Sequence, residues 1–232
     1  MQEPDDDAPT RKLRELLDAL PEPARRPVLS HASWTIRRSE SYERLAFLGD
    51  SVLELAVSTH LFRTLDAEKF GAGRLTEVRA GTVSAAPCRR VAERVGVPER
   101  MIAAAPENMH KRVRDLVRTE RVLASICEAI IGACYLEFGY ERTAEAVVDA
   151  FAPELGEALD RPTDHKSRLQ ELLMAGGRTV EYRVTDEIGE PHARTFVVDA
   201  VVDDAVIGSG RGRSKKLAEQ EAAHEALVSL RD

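Results

Sequence analysis

The sequence predicts two folds in tandem: an all-α region over residues 10–140, then a connecting helix and linker over 141–163, then a compact α+β domain of order α-β-β-β-α over 164–232. Three observations predict this. Up to residue 160 the apolar residues recur at helical spacing, with no strand-like alternation. Arg161-Pro162-Thr163-Asp164 marks a boundary. Beyond it the runs Thr179 to Thr185, Ala193 to Val202 and Ala205 to Ser209 are short and rich in β-formers, punctuated by Gly189, Pro191 and the Asp203-Asp204 pair.

In order, residues 1–10 read as an acidic tail with no basic leader or apolar secretion segment. Arg11 to Leu20 reads as a helix with Leu13, Leu16, Leu17 and Leu20 on one stripe, ended by Pro21, Pro23 and Pro27. His31 to Glu40 reads as a polar loop holding the only tryptophan, Trp34. Glu43 to Leu65 is a long helix, with Leu45, Phe47, Leu48, Val52 and Leu55 as its surface for burial. Phe70 to Gly73 is a turn, and Arg74 to Val95 a helix that Pro87 kinks or breaks. Val97 to His110 reads as irregular around Pro98 and Pro106. Val113 to Phe138 is a second long helix with Gly139 as its C-cap, and Glu141 to Leu159 a third. In the last region, helices His165 to Met174 and Ser214 to Leu230 flank the strands.

The 232 residues are 43% hydrophobic but 5% aromatic, so aliphatic side chains must build the core. The net charge of −7 excludes a globally basic clamp; residues 161–232 carry 11 basic and 13 acidic residues, so any polyanion site is a local patch. Cys88, Cys127 and Cys134 form no CxxC pair or Cys/His cluster, which fits a reducing, cytoplasmic setting. The apolar stretch Val122 to Tyr135 is too short for a bilayer span, so no membrane is expected. No phosphate-binding P-loop is visible, no HExxH or ExxH spacing, and Gly208-Ser209-Gly210-Arg211-Gly212 follows an antiparallel-type strand, so no nucleotide cofactor is expected.

Three features carry chemistry. Glu43 and Asp50 are seven residues apart and so share a face of the first long helix, within about 20° of each other. Ser125 and Glu128 share a face of the second, with Glu128 set among apolar residues. Acids against a buried face are costly unless compensated; a divalent ion such as Mg²⁺ does this, and pairing with Arg44 or Arg121 is the alternative. Third, Arg213, Lys215 and Lys216 gather around Ser214 at a helix start, where free N–H groups and the helix dipole add to the attraction for phosphate oxygens.

The motif Glu43-Arg44-Leu45-Ala46-Phe47-Leu48-Gly49-Asp50-Ser51-Val52-Leu53 closely resembles the ERLEFLGDSVL motif of the ribonuclease III family. The stretch from Glu120 to Gly139 resembles that family's second acidic helix, and residues 164–231 its double-stranded RNA-binding domain. The resemblance implies a homodimer, with Phe47 near the subunit contact, that cleaves double-stranded RNA by Mg²⁺-dependent hydrolysis in rRNA, mRNA and tRNA precursor processing. It assigns Asp50, Glu128 and Glu43 to catalysis. Gln170 and His192 match minor-groove contacts, and Arg213, Ser214, Lys215 and Lys216 match phosphate contacts.

The chain departs from the family pattern at Ala46, Ala72 and Ser125, where the family has acids, and at Arg74, where aspartate is usual. The metal would then rest on Asp50 and Glu128, with Ser125 acting through a water; Glu54 and Glu77 are the substitutes nearby. The other function class is a catalytically degenerate double-stranded RNA-binding dimer with a scaffold or regulatory role.

Overall fold

The computed structural model describes residues 9–161, 164–190 and 194–230. The chain divides into two compact units, Met1–Arg161 and Pro162–Asp232. Among the described residues the first is all helical: α1 (Arg11–Ala19), α2 (Glu22–Val28), α3 (Glu43–Thr64), α4 (Ala72–Val83), α5 (Ala85–Val95), α6 (Val97–Ala104), α7 (His110–Leu116), α8 (Glu120–Phe138), α9 (Tyr140–Ala150) and α10 (Ala152–Asp160).

α8 is apolar on nearly every side and is buried accordingly: Leu123, Ile126, Ala129, Ile130 and Ile131 are all fully enclosed. α3 packs along it. The side of α3 that faces inward is made of small and branched residues, Ala46, Gly49, Val52, Leu53, Ala56 and Val57. Phe47 and Leu55, expected in the core, are instead 81% and 54% exposed. By length and composition alone α3 could cross a membrane, yet here it lines the core of the helical unit and carries Glu43, Asp50 and Glu54 on its outer side.

The two helices touch backbone to backbone. A Cβ on Gly49 would lie 1.7 Å from the Glu128 carbonyl oxygen, and one on Gly132 would lie 2.3 Å from that of Leu45. Further along, the Tyr140 hydroxyl, just beyond the end of α8, hydrogen-bonds Thr59 Oγ1 of α3 at 3.1 Å.

The prolines behave differently from expectation. Pro23, Pro98 and Pro153 open helices, and Pro87 lies in the first turn of α5, positions where a missing N–H costs nothing. The break between α4 and α5 falls at Ser84, not at Pro87. The stretch after Val97, expected to be irregular, is largely helical, and the expected helix from Val113 is two, α7 and α8, split before Thr119. Phe151 likewise separates α9 from α10. Gly139, at φ 81°, does end α8. Glu154, buried on α10, is gripped by Arg94 at 2.8 Å and Arg90 at 3.0 Å from α5; burial alone would raise its pKa, but the two guanidiniums outweigh that and hold it below the usual range.

The second unit contains α11 (His165–Met174), β1 (Glu181–Ile188), β2 (Thr195–Val202), β3 (Ala205–Gly212) and α12 (Lys215–Ser229). The strands form an antiparallel sheet in the order β1-β2-β3. Asp203 and Asp204 turn β2 into β3 with φ of 50° and 63°, the left-handed pair that a two-residue hairpin needs. β3 runs through to Gly212, so the glycine-rich segment is strand. Its alternate residues Gly208, Gly210 and Gly212 lie under α12: a Cβ on any of them would come within 2.5 Å of backbone atoms of Ala218, Ala222 or Ala226. The period of two in the strand meets small residues every fourth position of the helix.

Gly49→Ala should therefore destabilise the first unit by about 3 kcal/mol, the upper range for overpacking between rigid groups. Urea unfolding should show an earlier midpoint for that unit, and Gly210→Ala should do the same in the second. An unshifted midpoint for Gly49→Ala would contradict the close approach.

Candidate functional site

The approach of α3 and α8 determines which side chains meet. Asp50, one residue after Gly49, projects from the exposed side of α3. Glu128, whose carbonyl lies against Gly49, projects half-buried from α8. The two carboxylates feel each other: burial first, and the Asp50 charge second, push the Glu128 pKa up to about 7. Ser125 lies one turn earlier on the same stripe of α8, half-buried.

The remaining expected acids are not gathered here. Glu43 is exposed two turns before Asp50, and accepts a 2.8 Å bond from Arg38 Nε, not from Arg44. Ala46 is 6% exposed and Ala72 is on the surface. Glu54 is exposed, and Glu77 is bound to Arg74 at 3.2 Å. Arg74 itself donates to the carbonyls of Ala158 at 3.3 Å, Leu159 at 2.8 Å and Arg161 at 2.5 Å. Where an aspartate was expected, an arginine ties α4 to the end of α10. Among the described residues no group of three or more His, Cys, Asp or Glu is placed to hold a metal.

The donor set fits a divalent ion held by two carboxylates and completed by water and phosphate oxygens, the pattern Mg²⁺ favours over an all-protein cage. The raised Glu128 pKa is itself an observation in favour: two acids that repel are relieved by a cation between them.

In the second unit, Ser214 caps α12, its hydroxyl accepting from Leu217 N at 3.3 Å. Arg213, Lys215 and Lys216 are exposed around that helix start. Lys215 Nζ is 3.6 Å from Glu187 and 5.6 Å from the centre of the Phe196 ring. Gln170 is half-buried on α11, beside Lys166, Ser167, Glu171 and Tyr182 around a shallow depression. Asp164 caps α11 and accepts from Gln220 at 3.0 Å, tying α11 to α12; these bonds hold its carboxyl below the usual range. His192 lies outside the described residues.

Spacing alone did not single out Arg38 or Arg112, and offered Arg121 only as a partner for an acid. Arg38, Arg112 and Arg121, from three separate elements, all bear on the start of α3: Arg38 bonds Glu43, the Arg112 charge reaches His31, and the Arg121 charge reaches Tyr42. The one signal available was that Arg121 precedes Ser125 by four residues, on the stripe that also carries Glu128.

The Glu128 pKa gives a test on metal-free protein. It stands at about 7 in the fold against 4.5 for an unperturbed glutamate. Below 4.5 the carboxyl is protonated in both folded and unfolded chains; between 4.5 and 7 the unfolded chain ionises first and the fold loses stability, and above 7 the loss is constant. Glu128→Gln should stabilise the apo protein by about 1 kcal/mol at pH 8, discounted for solvent access, and not at pH 4. Equal gains at both pH values in thermal unfolding would contradict the assignment.

A family model described as Ribonuclease-III-like matches residues 25–155, and one described as Double-stranded RNA binding motif matches residues 165–230. A Ribonuclease 3 of Pelotomaculum thermopropionicum is 36% identical over 207 residues, covering 86% of this chain and 83% of that protein. A Ribonuclease 3 of Bacillus cereus is 38% identical over 196 residues, covering 83% and 77%. The nuclease domain of ribonuclease III from Campylobacter jejuni matches with a TM-score of 0.52 at 26% identity, covering 62% of this chain and 96% of that one. With its helical unit and its α-β-β-β-α unit each matched in order, the chain belongs to the ribonuclease III family.

Proposed function

We propose that this chain is an endoribonuclease that hydrolyses phosphodiester bonds in double-stranded RNA, with Mg²⁺ held by Asp50 and Glu128. The observation that carries this reading is the close approach of α3 and α8 at Gly49, which sets Asp50 near a half-buried Glu128 whose pKa burial first, and the Asp50 charge second, push up to about 7. Bound there, the ion would supply an activated water and neutralise charge on the phosphate. The chain's own part is to present two ionised acids from adjoining helices; Ser125 can hold a ligand water, and Glu43 is steadied by Arg38. The Glu128 proton must leave before a cation binds, so the working range lies at or above pH 7.

The second unit supplies the grip. Arg213, Lys215 and Lys216 at the start of α12 suit the phosphates of an A-form duplex, while Gln170 on α11 suits its minor groove. The helical unit is read as one half of a homodimer. Phe47 and Leu136 stand 81% and 64% exposed beside a groove of about 760 Å³ lined by Pro23, Pro27, Leu45, Leu48 and Ala133. The Campylobacter jejuni nuclease domain is described as having a region involved in dimer formation. Three buried, unpaired cysteines suit a cytoplasmic protein, where precursors of rRNA, mRNA and tRNA are the expected substrates.

Incubation with long double-stranded RNA over a Mg²⁺ series should give cleavage that needs high Mg²⁺. Intact RNA throughout, with binding retained in Ca²⁺, would replace the enzyme with a scaffold that only binds duplexes. Restoring acids with Ala46→Glu plus Ser125→Asp should raise the rate at least tenfold and lower the Mg²⁺ requirement; no gain would show that the site uses other ligands. Lys215→Ala with Lys216→Ala should weaken binding and reduce the slope of log affinity against log salt by about two, one per phosphate contact. An unchanged slope would remove that patch from the interface.

A further inference from the structure

We infer that Arg121 binds a phosphate oxygen of the cleaved strand, completing with a guanidinium a site that two carboxylates leave short of ligands. The inference rests on the endoribonuclease reading above and goes beyond it by assigning a residue outside the acid set.

Three observations converge on Arg121. It lies four residues before Ser125 and seven before Glu128 on α8, so the three side chains fall within about 60° of one another. It is exposed and forms no ion pair or hydrogen bond among the described residues, whereas Arg38 is held by Glu43 and Arg74 by Glu77 and three carbonyls. Its charge also reaches the start of α3. The charge of Arg121 acts on Tyr42, the residue before Glu43. Arg121 and Glu128 thus lie on one strip of α8, about 10 Å apart along its axis.

The chemistry fits that place. Phosphate is tetrahedral, and a planar guanidinium engages two of its oxygens through two parallel N–H donors, which a lysine does not. With Asp50 and Glu128 as the only acids at the ion, part of the phosphate charge is left for the protein to balance, and Arg121 is the uncommitted cation on that stripe. Where charge grows on the phosphate oxygens in the transition state, a donor already in position contributes more to rate than to binding.

The full-length protein tests this through two readouts. The first is duplex RNA binding in Ca²⁺ over a salt series. Arg121→Ala should reduce the slope of log affinity against log salt by about one, Arg121→Lys should keep it, and Arg142→Ala, beyond the opposite end of α8, should leave it unchanged. The second is cleavage at saturating RNA and Mg²⁺, which Arg121→Ala should slow by 10- to 100-fold and Arg121→Lys should restore only in part. Thermal unfolding of each variant should match the wild type, since the side chain is on the surface. An unchanged slope for Arg121→Ala overturns the inference, whatever the rate does. A wild-type protein that never cleaves, but whose slope falls with Arg121→Ala, keeps the phosphate contact and overturns the endonuclease reading instead.

Discussion

Two glycines set the distance at which α3 and α8 meet, and the chemistry of the helical unit follows from that distance. With Gly49 against the Glu128 carbonyl and Gly132 against that of Leu45, no side chain separates the helices. Asp50 and Glu128 each sit within a residue or so of the contact, so their carboxylates share one patch of solvent. Any Cβ at either glycine would push the backbones apart and separate the acids by a similar amount. The same device appears in the second unit, where Gly208, Gly210 and Gly212 let β3 lie directly beneath α12 and so fix where its basic first turn projects.

The electrostatics of the site are those of an incomplete set. Burial first, and the Asp50 charge second, push the Glu128 pKa up to about 7, and a divalent cation is a natural means of offsetting both. Where more acids were expected the chain has Ala46, Ala72, Ser125 and Arg74, and three of its arginines differ in what they hold. Arg74 fastens the end of α10, Arg38 occupies Glu43, and Arg121 remains uncommitted. A site with fewer acids binds its ion less tightly, but it also repels the phosphate backbone less. The balance shifts part of the work of ion binding onto the RNA itself.

Much of this was legible from residue spacing. The acid faces of α3 and α8, the C-cap at Gly139, the three strands and the basic start of α12 all follow from local rules that tertiary packing did not override. What failed has physical reasons. Prolines were read as breakers, but at a first turn they start helices, so Pro23, Pro87 and Pro98 misplaced α2, α5 and α6. Phe47 and Leu55 were assigned to the core because they are large and apolar, yet a helix packed this closely buries its smallest residues instead. The expected strand stopped at Ser209, short of Gly210 and Gly212, because their partner, the Ala218-Ala222 ridge, lies later in the chain and only folding brings it over them. The convergence of Arg38, Arg112 and Arg121 was not legible because it depends on three elements meeting.

The central claim is that Asp50 and Glu128 serve one ion. Mn²⁺ binding to the RNA-free protein, followed by electron paramagnetic resonance for the wild type, Asp50→Asn, Glu128→Gln and the double variant, tests it most directly. If the carboxylates share an ion, each single substitution should remove most of the affinity and the double should add little, a strongly non-additive cycle. Losses that simply add would mean that the two acids act apart, and would contradict the site described here.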